Sequence, residues 1–212
     1  MTRNNPTTPA AAETLYHGTH APLFGRFSSD HLREGSGRTR YGFGHYVTDD
    51  VGHALHYAAK GATEETVLLY TVEVPALTPD NHITYHEPVD PSILARVGAA
   101  LGVAIPAPAA ADGLAFRKFV ACRLEGRKGT KPSPEGEKKA SAFFDGIGVL
   151  CAVWAFKWQK DAQGRCLPPF DRAIFNPENI RIVSVDRVDR EAASKKKKVV
   201  VETIAAEDLP QG

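Results

Sequence analysis

The stretch Thr66-Val-Leu-Leu-Tyr-Thr-Val-Glu-Val-Pro75 constrains the fold more than any other part of this chain. It is β-branched and aromatic throughout and is stopped by a proline, so it reads as a strand. Shorter extended pieces surround it, at residues 14–18, 46–48, 82–85, 149–154, 172–175 and 180–185. Helices are expected between them. One follows Asp49 or Asp50 as cap and carries Ala54, Tyr57 and Ala58. Two more cover 92–100 and 113–124, broken by Ile105-Pro-Ala-Pro108, and a short one covers 139–146. Residues 126–139 read as a basic loop. Strands and helices do not alternate regularly, which favours an α+β fold with antiparallel or mixed strands over a doubly wound sheet.

The chain has 212 residues, 42% hydrophobic and 24% charged, enough for one globular core. A formal net charge of +1 gives no whole-molecule attraction to nucleic acid or membrane. Cys122, Cys151 and Cys166 are odd in number and lack C-x-x-C spacing, against a disulfide scaffold or zinc knuckle and in keeping with a reducing compartment. No run approaches the roughly 20 apolar residues of a membrane span. Residues 1–13 have no apolar signal region and read as a flexible tail, so the expected location is cytoplasmic, or inside a target cell reached without a signal peptide. Residues 188–212 read as a lysine-rich C-terminal segment, in which the charge run at 194–198 precedes residues 199–204, either an edge strand or part of a tail. These lysines and the basic loop are solvated surface or track phosphates.

Chemistry concentrates in Leu15-Tyr-His-Gly-Thr19 and Tyr41-Gly-Phe-Gly-His-Tyr-Val-Thr-Asp-Asp50. A His-Gly-Thr ends a strand, a Gly-x-Gly-x-Tyr turn follows, and Tyr57 sits on the next helix. Two aromatic faces and a glycine backbone suit a flat, amide-bearing ring. Such a ring is the nicotinamide of NAD, whose bond to ribose breaks through an oxocarbenium-like state that negative charge stabilises. The glycines lack the third member of a dinucleotide fingerprint. His53 with His56, and His82 with His86, have spacings that could hold a metal, but no third ligand is evident.

Tyr16-His-Gly-Thr19, Gly42-Phe-Gly-His-Tyr-Val-Thr-Asp49 and Tyr57 resemble the diphtheria-toxin/poly(ADP-ribose) polymerase type of ADP-ribosyltransferase. Asp171-Arg-Ala-Ile-Phe-Asn-Pro177 looks like that family's final motif, and Ser141-Ala-Phe-Phe-Asp-Gly-Ile-Gly-Val149 resembles its phage and mobile-element-associated members. The resemblance implies a split β-sheet core over 14–187 with peripheral helices and a helical, basic insertion over about 88–139. It implies a mono-ADP-ribosyltransferase that consumes NAD without a metal and modifies a protein or nucleic acid. As a toxin or effector it would have an immunity or antitoxin protein as partner, and no membrane. Carried over, His17 binds a ribose and orients nicotinamide, Gly18 and Thr19 contact the cofactor, and Tyr46 and Tyr57 sandwich the ring. Asp171 stands where the family has glutamate and reaches one methylene less far. Trp154 and Trp158 flank the loop before it, where the family recognises its acceptor.

Overall fold

A computed structural model describes residues 12–29, 32, 41–156 and 160–210. Residues 1–11 of the expected tail, most of the connection over 30–40, and Trp158 lie outside the described residues.

One mixed sheet of eight strands organises the chain, in the order β4-β5-β6-β2-β1-β3-β7-β8. The strands are β1 (Ala12–Thr19), β2 (His45–Thr48), β3 (Thr66–Pro75), β4 (His82–Thr84), β5 (Cys151–Ala155), β6 (Phe170–Ile174), β7 (Arg181–Asp189) and β8 (Val200–Ala205). Of these neighbours, β4 and β5 alone run parallel. The long β-branched run lies between β1 and β7, where both edges of its backbone are paired. β1 and β3 are registered along their length, from Ala12↔Pro75 to Thr19↔Leu68. β1 and β2 share a single registered pair, Tyr16↔Thr48. The sheet is thus continuous but nearly divided at that seam.

Among the described residues six helices accompany it: α1 (Val51–Ala59), α2 (Pro91–Leu101), α3 (Ala107–Ala110), α4 (Gly113–Leu124), α5 (Pro134–Gly146) and α6 (Arg190–Ser194). Local chemistry sets their ends. Asp90, Asp112 and Ser133 accept from Ser92, Ala115 and Gly136 backbone N–H groups, and Gly102 closes α2 with a φ of 62°. α5 begins earlier than expected because Ser133 caps it, Pro134 opens it and Glu135 and Glu137 fill its first turn. Most of the presumed basic loop from Ser133 onward is therefore helix. β1 likewise begins at Ala12, which is registered opposite Pro75 of β3, and Glu13 beside it pairs with the buried Arg172.

Alternation along the strands sorts the core into layers. One face carries Tyr16, Leu69, Trp154 and Ala173, packed under α1, α4 and α5. The opposite face carries Leu15, Val47, Tyr70, Val153 and Val185, covered by Phe24, Phe27 and the C-terminal Leu209. The insertion is no appendage: Ile93, Val97, Phe116 and Val120 belong to the main core. The C-terminal segment also joins the sheet, with β8 as its edge beside β7. Lys195 and Lys198 pair with Glu191 and Asp186. Among the described residues no helix is long and apolar enough to cross a membrane.

Candidate functional site

The seam is where the expected residues meet. Tyr16↔Thr48, Thr48↔Asp171 and Asp171↔Trp154 are successive partners across β1, β2, β6 and β5, so these four project on one face. Tyr46, opposite Ala173, lies one step along the same face. Above the row runs α1, started by Asp50, whose carboxylate accepts from the His53 N–H at 2.9 Å. This places His53 Nδ1 2.9 Å from Asp171 Oδ1. The His53 ring packs against Phe156 at 3.6 Å and Tyr57 at 4.8 Å between centroids. Tyr57 is 46% exposed.

Tyr46 is held by the Gly42–Gly44 turn. Its phenol donates to the Gly42 carbonyl at 2.8 Å and accepts from the Tyr41 N–H at 3.2 Å. Tyr85 donates to the Tyr41 carbonyl and Ser141 to that of Phe43, both at 2.6 Å. Three successive carbonyls are thus satisfied by hydroxyls from three different parts of the chain. The Tyr46 ring meets Trp154 edge-on at 5.4 Å, and burial pushes its phenol up to about 12. Trp154 is core.

His17 does not join this face. Parity puts it with Leu15, and its ring lies among Phe24, Phe27 and Tyr70 at 6.4, 5.2 and 6.1 Å. Where β2 leaves β1, His17 Nδ1 bridges the gap to the Tyr46 carbonyl at 2.7 Å. The imidazole therefore fills the seam, and burial lowers its affinity for a proton. Gly18 lies on the α1 side, and a Cβ there would sit 1.9 Å from the Ala54 carbonyl oxygen. Beyond Tyr16, β1 has no registered partner on its β2 side among the described residues. Thr19 ends the strand, its hydroxyl accepting from the Ala21 N–H at 3.0 Å.

His53 was visible to sequence reading only as half of a metal pair with His56. Its spacing from Tyr57 on one helix, and its place three residues after the cap, were the signals for its real position. His82 Nδ1 lies 2.7 Å from the Thr78 carbonyl and His86 Nδ1 3.1 Å from Asp112. Among the described residues no group of His, Cys, Asp or Glu could hold a metal ion. All three cysteines are free and buried. A surface hollow of about 440 Å³, lined by Phe43, Ser133, Pro134, Glu135 and Lys138, lies behind the turn and includes none of the row.

His45, beside Phe27 and His17, has its pKa driven down to about 4, first by burial and then by His17. In an unfolded chain it titrates near 6.5. Between those values the unfolded state binds the extra proton, so stability falls as the pH drops below about 6.5. Urea denaturation should show about 1.5 kcal/mol lost to this residue between pH 6.5 and 5. His45→Leu should flatten that slope, and an unchanged slope would place the acid sensitivity elsewhere. No protein family, curated protein or solved structure matches this chain.

Proposed function

We propose that this protein is a mono-ADP-ribosyltransferase that takes ADP-ribose from NAD and passes it to a protein or nucleic acid. One observation carries the reading: Tyr46 and Asp171 project from one face of the sheet, beneath the helix that bears Tyr57 and beside the stretch of β1 at Gly18 that has no registered β2 partner among the described residues. In this reading the nicotinamide lies against the tyrosine rings, with its carboxamide on the β1 backbone near Gly18 and Thr19. His17, on the reverse face, acts on this site through its contact with the Tyr46 carbonyl rather than by touching the ribose. Asp171 faces the ribose carbon as its bond to nicotinamide breaks. The electron pair leaves with the ring nitrogen, the acceptor oxygen or nitrogen bonds to C1′, and its proton passes to solvent.

Tyr57 is the best probe, because its ring is exposed and contributes little to the core. Tyr57→Ala should keep the thermal midpoint and weaken NAD binding at least tenfold, in line with loss of about 1.5 kcal/mol of aromatic contact. Purified protein with radiolabelled NAD and lysate should release nicotinamide and label an acceptor. Wild-type protein that does neither, at any concentration, would defeat the proposal. A second reading, an NAD-binding module without catalysis, draws on the commitment of Asp171 Oδ1 to His53. Calorimetry would then show NAD binding with no nicotinamide released.

A further inference from the structure

We propose that His53 is the positioning residue for Asp171: it holds one carboxylate oxygen so that the other faces the reacting ribose. This rests on the ADP-ribosyl transfer reading above. The two side chains meet at 2.9 Å with only 3% and 13% of their surfaces exposed. A carboxylate accepts only, so Nδ1 carries the proton in this pair. His53 Nε2 is buried and has no hydrogen-bond partner among the described residues. The imidazole is therefore oriented with Nδ1–H toward Asp171 Oδ1.

Both ends of this contact are fixed independently. The Asp50 cap holds the His53 backbone, Phe156 and Tyr57 pack on its ring, and Asp171 is registered between Thr48 and Trp154. An aspartate is one methylene shorter than a glutamate and is steered here from the helix above. Among the described residues Oδ2 accepts no hydrogen bond and is the oxygen left to face the ribose. It stabilises C1′ as the C1′–N1 bond breaks, the electron pair leaving on nicotinamide. Water or the acceptor then bonds to C1′ and releases its proton to solvent.

The test measures nicotinamide release by the full chain, with kcat and KM separated and NAD affinity taken from calorimetry. His53→Phe keeps a ring between helix and sheet but carries no donor, whereas His53→Asn places an amide donor near the Nδ1 position. His53→Phe should lose about tenfold or more in kcat with KM within about threefold, and His53→Asn should recover most of that loss. His53→Phe combined with Asp171→Asn should be no slower than Asp171→Asn alone, since the residues act as one unit. Loss of packing alone would lower the folded fraction without this pattern. If His53→Phe does not fold, His53→Leu makes the same comparison. Wild-type kcat in the donor-less variant, or additive losses in the double variant, overturns the proposal. A wild-type protein that releases no nicotinamide defeats the transfer reading itself, whereas an active one indifferent to His53→Phe defeats only this inference.

Discussion

Arg117→Met is expected to destabilise the protein by about 3 kcal/mol, the range for breaking a buried ion pair from one side, reduced here by the partial exposure of its partner. Arg117 projects from α4 and is 2% exposed. Its Nη2 donates to Glu137 Oε1 at 3.0 Å, and Nη1 also contacts that carboxylate. The guanidinium lies 5.8 Å from the Tyr85 ring centre and directly against Gly42, where a Cβ would come within 1.9 Å of Nη1. Methionine fills much of the stem's volume but leaves Glu137 as a charge facing a buried space. For a chain of this size, thermal denaturation should show a drop of about 6–12 °C. Adding Glu137→Gln should restore at least half of it, because the uncompensated charge is gone. A midpoint unmoved by Arg117→Met would show the pair to be energetically idle. The effect should reach the site, since Arg117 backs the turn whose Gly42 carbonyl holds the Tyr46 phenol.

Gly18→Ala is expected to cost about 3 kcal/mol, at the upper end for overpacking a rigid contact. The added methyl would lie 1.9 Å from the Ala54 oxygen, 2.5 Å from its carbonyl carbon and 3.1 Å from the Ala58 Cβ. Two of these are backbone atoms of α1, so no side-chain rotation relieves the overlap and the helix must lift from β1. That helix carries His53 and Tyr57, so the nicotinamide release proposed above should disappear along with stability. Gly146→Ala is the control. A methyl added there would meet nothing within 4 Å, and the residue sits in the last turn of α5, so the change should be neutral or slightly stabilising. Equal behaviour of the two variants would mean that the close approach of α1 to β1 does not matter. Either result bears on Gly18 in a way independent of NAD, because packing alone demands a glycine there.

Much of the architecture is written in short-range chemistry. β3 begins and ends where its β-branched run and proline place it, and α4 spans the expected residues. Of the caps, Asp50 was one of the two candidates legible in the sequence, while Asp90 and Asp112, which act over the same two or three residues, emerged with the structure. Early starts were harder to see. Ser133 capped a helix in a stretch that looked merely basic, and Glu13 joins β1 opposite Val74 and meets a guanidinium 159 residues away.

The linear chain by itself determined most of the strands and the longer helices, the mixed α and β character, and the identity of the histidine, tyrosines and aspartate worth following. Those are consequences of backbone preference and side-chain periodicity, which act over a few residues. Which of those groups share a face was decided only in three dimensions, by the register of one pair. With Tyr16 opposite Thr48, Tyr46 and Asp171 fall beneath α1 and His17 falls on the reverse side. A slip of one residue would have put His17 with Tyr46 instead, because side chains alternate along a strand. The register follows from packing β1 on β3 and α1 at once, with Leu15 and Tyr16 buried toward opposite layers. The meeting of His53 with Asp171, 118 positions apart, comes from the same long-range packing.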